Sequence, residues 1–369
     1  MIIRSRDALA DARSNKLSKW TKAVGSAKER IDQLVCVPGS AQSFANDPSD
    51  SIFAIGSCFA RNVEERLELA GANVLSRNVQ VRNLGVGSAR YAGIFNKYNP
   101  AAILQELRWA ASEEEFPLAG FLPTSDGLFY DAHLRRTSGD SDKETLRKRR
   151  EDIKRYFSQA FDADLVIITL GLTEAWYDHE TGHYVNEIPP PAIIRESDRF
   201  GFEVMNYESC LRTLRKVHSL LLSRGRPGLR MIVTVSPVPL IRTFTNQDVI
   251  VANMTSKSTL RSAALAFCEE TELVDYFPSF EAAMYSEPSI VWEGDRRHVT
   301  DFMVGEIIRA FMERYGFAPA AESLAGGYEF FEQSPEQKVI GKFKRETKLL
   351  KQRIIELEKE IQNRRALSD

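Results

Sequence analysis

Three short apolar runs, each closed by a small residue, constrain the fold of this chain most. Ile52-Phe53-Ala54-Ile55 ends at Gly56, Leu165-Val166-Ile167-Ile168-Thr169-Leu170 at Gly171, and Met231-Ile232-Val233-Thr234-Val235 at Ser236-Pro237. Such runs are too short for helices and lack polar alternation, so they read as strands covered on both faces, as in a parallel sheet. Ala72–Leu75 and Leu273–Asp275 read as shorter strands. Helical spacing is read over Arg61–Ala70, from Tyr98-Asn99-Pro100 through Trp109, near Glu208–Ser223, over Ser256–Thr271 and over Asp301–Tyr315. Strands alternating with helices across residues 52–315 predict a doubly wound α/β sheet with helices on both faces.

The flanks read differently. Leu9, Ala12, Leu17, Trp20, Val24 and Ile31 recur at roughly helical spacing, so residues 1–35 are expected to be helical, with a polar connector to residue 49. Residues 50–318 form the α/β domain on this reading, and 319–369 a linker and coiled coil. The coiled-coil expectation rests on Ile340, Phe343, Thr347, Leu350, Ile354, Leu357 and Ile361, a three-four repeat among Lys, Glu and Arg that suits a homo-oligomer. Residues 111–145 read as an irregular insertion, and the mixed charges of Arg135–Arg155 as a solvated helix or loop. Gly85 and Gly87 lie in a glycine loop, a turn or an active-site loop, without the frame of a dinucleotide site.

Charge and cysteine usage exclude several classes. Net charge is -2, which leaves no nucleic-acid footprint. Cys36, Cys58, Cys210 and Cys268 are far apart, against both a zinc site and a disulfide framework. Met1–Trp20 has no apolar signal core and no apolar run reaches ~18 residues, so the expectation is a cytoplasmic protein without a membrane span.

The chemistry concentrates where the first run ends. Ser57 and Cys58 follow Gly56 at the end of a strand and the start of a helix, where open α/β sheets bind ligands. Free N–H groups and the positive helix end favour an oxyanion there and are expected to lower a thiol pKa. The plainer alternative is a tight connection with a buried cysteine. Far along the chain, Asp295-Arg296-Arg297-His298 precedes the last helix, and an Asp three residues before a His can hold its ring as a base. His179 and His183 have metal-ligand spacing, but Gly182 between them indicates a turn and no metal is expected. His133 and His218 read as structural or surface residues, Trp176 as a pocket wall, and Cys36, Cys210 and Cys268 as plain buried thiols.

Gly56-Ser57-Cys58-Phe59-Ala60 resembles the signature of the GSCFA domain family, a group distantly related to the SGNH/GDSL hydrolases. Thr169–Trp176, Thr234–Val238 and Asp295-x-x-His298 extend the resemblance over roughly residues 50–315. It implies a flavodoxin-like sheet with its site at the C-terminal edge. It implies Cys58 or Ser57 as nucleophile, His298 as base and Asp295 as its orienting carboxylate. The oxyanion and substrate positions would be the Cys58 N–H, Gly93 or else Gly87, and Thr173 with Glu174. Thr173 stands where relatives carry an Asn, and losing a good donor typically costs about 100- to 1,000-fold in rate. The expected function is an esterase or O-acyltransferase acting on a carbohydrate or glycoconjugate. No bound cofactor is expected, although acyl-CoA fits as a co-substrate. The alternatives are a non-catalytic binding or scaffold protein that self-associates through residues 340–361, and an enzyme using Cys58 in other thiol chemistry.

Overall fold

The alternation of apolar runs and helices folds as a parallel sheet covered on both sides. The computed structural model describes residues 2–79, 81 and 91–317. In chain order the strands are β1 (Ser51–Gly56), β2 (Asn73–Val74), β3 (Phe121–Pro123), β4 (Phe129–Asp131), β5 (Leu165–Leu170), β6 (Glu174–Asp178), β7 (His183–Val185), β8 (Phe200–Val204), β9 (Arg230–Val235) and β10 (Val274–Phe277). The central sheet has the order β10-β9-β5-β1-β2 and every pairing in it is parallel. The chain runs outward from β1 to β2, then crosses back to β5 on the other side of β1. That reversal places a crevice at the C-terminal ends of β1 and β5, where flavodoxin-like sheets bind ligands.

The period-two rule sorts the sheet residues into two core layers. Phe53, Ile55, Val166, Ile168, Met231 and Val233 pack on one face with residues of the helices Pro100–Ala110, Lys143–Ser158, Tyr207–Arg224 and Val249–Glu270. Ile52, Ala54, Leu165, Ile167 and Ile232 pack on the other with residues of Cys58–Leu69, Ser279–Tyr285 and Asp301–Tyr315. Two smaller antiparallel sheets are added: β3-β4 within the insertion, and β7-β6-β8 directly after β5. The second raises a wall beside the crevice.

Several expectations are corrected. Residues 1–35 are not one helix. Ser5–Ser14 and Ala27–Ile31 are separate and bury nothing, and Leu9, Leu17, Trp20 and Val24 between and within them are exposed. A helical stripe without a surface to cover does not hold a long helix. The Lys143–Ser158 helix is not simply solvated, since it buries Arg149 and Arg150. The helix expected from Ser256 begins at Val249, where the Asp248 side chain accepts the Ile250 N–H. The glycine loop at 82–88 and the heptad repeat at 340–361 lie outside the described residues.

Candidate functional site

The end of β1 is shaped by a glycine that cannot be replaced without strain. Gly56 has φ +140°, and a Cβ there would sit 2.1 Å from the Thr169 carbonyl oxygen. The Ser57 N–H donates to that same carbonyl at 3.0 Å. Ser57 then caps the Cys58–Leu69 helix, its Oγ accepting the Phe59 N–H at 3.3 Å and lying 3.2 Å from Thr169 Oγ1. Its hydroxyl is thus engaged and the residue is 3% exposed, whereas Cys58, the first residue of the helix, is partly exposed.

Cys58 lines a cavity of about 430 Å³ at the C-terminal edge of the sheet. That is within the usual range for small-molecule sites. Glycine shapes its floor as well. A Cβ on Gly171 would meet the Tyr98 carbonyl at 2.7 Å, and the N–H groups of Gly171 and Leu172 donate to that carbonyl at 3.2 and 2.8 Å. Tyr98 and Asn99 are thereby held at the cavity. Trp176 of β6 and Phe244 form an aromatic side with ring centroids 5.1 Å apart. The loop after β9 is tied to β6 by Glu174, which accepts from Thr243 Oγ1 at 2.5 Å and from the Phe244 N–H at 2.9 Å.

His298 reaches the cavity on a tightly pinned turn. Arg296 takes the left-handed conformation at φ +55°, and Glu293 N–H donates to the His298 carbonyl at 2.9 Å. Asp295 accepts the backbone N–H groups of His298 and Arg297 and contacts His298 Nδ1 at 2.6 Å. Those two backbone N–H groups, then the ring, hold the Asp295 carboxyl down at about 2. An ionised Asp295 can only accept, so Nδ1 carries the proton; Arg297 Nη1, 3.1 Å from Nε2, can only donate, so Nε2 is the acceptor. This is the tautomer a base needs, with its basic nitrogen capped by Arg297.

Ser57, Cys58, Glu174 and His298 therefore line one cavity, with Asp295 bound to His298. Thr173 and Gly93 do not line it. Thr173 is buried, with its N–H and hydroxyl on Ser256 Oγ at 2.6 and 3.0 Å. Gly93 lies in the short helix Tyr91–Ile94. The cavity instead offers Asn99, whose Oδ1 caps the next helix through the Ala102 N–H at 2.8 Å while no bond among the described residues uses its Nδ2. The Cys58 N–H opens its helix beside it.

Electrostatics correct a second expectation. The Cys58 thiol is not lowered: burial raises it above its ordinary value, against the pull of Arg297, Lys257 and Arg135. Burial raises Cys210 and Cys268 to about 12, and raises Cys36 as well. All four thiols are free. Sequence reasoning missed the three cations around Cys58. Lys257 is fully buried, donates to the carbonyls of Gly171 and Val238 at 2.6 and 2.8 Å, and is pushed down by burial to about 7. Its signal was legible: it shares a buried helical stripe with Ala252, Ser256, Leu260 and Ala264. Arg135 and Arg297 carried no comparable sign.

His183 is engaged within the protein. His183 pairs across a hairpin, with Nδ1 2.6 Å from the Thr181 carbonyl and Nε2 3.3 Å from Glu114, and no group of three metal-binding side chains occurs among the described residues. No helix among them is long and apolar enough to cross a membrane. Comparison with curated proteins finds no match. A family model described as GSCFA family matches residues 51–311. That span opens with β1 and its Gly56-Ser57-Cys58-Phe59-Ala60 turn and runs into the helix that follows His298, and the chain belongs to the GSCFA family.

Proposed function

We propose that the protein is an acyl-group enzyme, an esterase or O-acyltransferase, with Cys58 as nucleophile and His298 as general base. The observation that carries this is that Cys58 and His298 line one cavity while Asp295 fixes Nε2 of His298 as the proton acceptor. Because burial keeps the thiol protonated at neutral pH, attack requires a base. Arg297 moves off Nε2; His298 takes the Cys58 proton as sulfur attacks the acyl carbonyl, and returns it to the leaving group as the thioester forms. Water or a hydroxyl acceptor then gives its proton to His298 and attacks the thioester, and the thiol is restored. The Cys58 N–H and Asn99 supply oxyanion donors in place of Gly93 and Thr173. The aromatic side formed by Trp176 and Phe244 suits a sugar ring, which favours a carbohydrate or glycoconjugate acceptor. An acyl thioester such as acyl-CoA is a suitable donor for a transferase. Free thiols fit a reducing compartment such as the cytoplasm.

A second reading is a binding protein that keeps the pocket and self-associates through residues 340–361. The Arg297 cap on His298 favours it. A screen of acyl esters and thioesters separates the two. Turnover abolished by Cys58→Ala, reduced at least about 100-fold by His298→Ala and retained in Ser57→Ala supports the enzyme. Turnover that survives Cys58→Ala but not Ser57→Ala reverses the assignment, and a screen without turnover favours the binding protein.

A further inference from the structure

Two arginines stand beside the nucleophile with hydrogen-bonding capacity to spare. Arg135 and Arg297 both line the cavity and both act electrostatically on Cys58. The Nε–H of each is buried and has no acceptor among the described residues. Among the described residues the carboxylate paired with Arg135 is Glu187, at 3.7 Å, and burial raises that carboxyl against the pull of Arg135 and Arg136. Arg297 donates to a ring nitrogen rather than to a carboxylate. Of the other acids, Glu174 is occupied by Thr243 and Phe244, and Asp295 by His298 and its own turn. The cavity thus holds more cationic donors than its own acids satisfy. Buried donors without acceptors are costly, and guanidinium groups match carboxylate and phosphate oxygens in pairs.

We propose that the substrate carries an oxyanion group, a carboxylate or a phosphate, bound by Arg135 and Arg297 next to the acyl carbon that Cys58 attacks. This deepens the acyl-enzyme reading and rests on it. It also narrows the substrate. The phosphates of an acyl-CoA lie the length of the pantetheine arm from its thioester, too far to meet cations beside Cys58. The anion therefore belongs to the acyl group itself, as in a dicarboxylic half-acyl, or to a compact acidic or phosphorylated alcohol. Engagement of Arg297 by that anion also takes it off Nε2 of His298, so the base is freed when the substrate is seated.

The test uses full-length Cys58→Ser protein, which separates anion binding from covalent chemistry. Inorganic phosphate and malonate are titrated calorimetrically at constant ionic strength, with chloride as control. Saturable binding of either, weakened about tenfold or more by Arg135→Gln and by Arg297→Gln separately, supports the site. Tighter binding of phosphate points to a phosphorylated substrate, and of malonate to a carboxylic one. Binding of neither anion, or binding that both variants retain unchanged, overturns the proposal. Because no turnover is read, that failure is distinct from failure of the Cys58–His298 mechanism, which the substrate screen measures.

Discussion

One loop separates two opposite treatments of buried charge. Lys97 faces a closed network, while its neighbours Tyr98 and Asn99 line the cavity. In the network Lys97 Nζ donates to Glu106 and to the His133 carbonyl, both at 2.6 Å. Arg150 pairs with Glu106 at 2.8 Å and with both oxygens of Asp131. Burial raises the Glu106 carboxyl, but Arg150 and Lys97 outweigh it and hold it below the usual carboxylate range. At the cavity, Arg135 meets Glu187 only at 3.7 Å, and the Nε–H groups of Arg135 and Arg297 find no acceptor among the described residues, around a thiol that burial raises. The first arrangement pairs its charges and ties β4 of the insertion to the helices Pro100–Ala110 and Lys143–Ser158. The second has unused donors, as a site that meets an anionic partner requires.

The largest break in this comparison falls on the closed network. Arg150→Met leaves Glu106 and Asp131 buried without their shared cation and is expected to cost about 3–5 kcal/mol, read as a lower urea midpoint. Arg135→Met removes a cation from the open side and is expected to change stability by only about 0.5 kcal/mol. Equal losses from the two variants would erase the distinction.

Lys257 gives the next effect, and its direction follows from its fall to about 7 from an ordinary 10.5. Between those values the unfolded chain holds a proton that the folded chain has released. Stability from this group therefore grows as pH rises from about 7 to 10.5, and is lost as pH falls through 7. The slope is at most about 1.4 kcal/mol per pH unit. Urea melts across that window are expected to show wild type gaining on Lys257→Met; a constant difference contradicts the shifted amine.

The smallest effect sharpens the open side. Iodoacetamide is expected to label Cys58 ahead of Cys210 and Cys268, whose thiols stand near 12. Arg135→Met withdraws one of the cations that pull the Cys58 thiol down. The midpoint of its alkylation is expected to rise by less than about one pH unit, and a downward move would contradict the electrostatic account.

What the sequence shows and hides follows the same division. The strands were legible because a parallel strand needs apolar residues on both faces, and Ile52–Ile55, Leu165–Leu170 and Met231–Val235 supply them. Cys58, Glu174 and His298 were placed at one edge by strand-end logic and by family resemblance, and they do line one cavity. Thr173 was not legible as a core residue because its partner, Ser256, is distant in sequence. Arg150 and Arg135 looked alike in a charged stretch; only the packing of the helix Lys143–Ser158 buries one in a network and leaves the other at the cavity. The N-terminal stripe failed for the converse reason, since spacing alone does not say whether a surface exists to cover it.

The central claim is that Cys58 carries the acyl group with His298 as its base. Rapid acid quench of the turning-over enzyme, followed by peptide mass spectrometry, tests it most directly. The account predicts an acyl adduct on the Cys58 peptide, released by neutral hydroxylamine as a thioester is, and strongly reduced in His298→Ala. An adduct on Ser57, or sustained turnover with neither residue acylated under conditions that trap the intermediate, would contradict it.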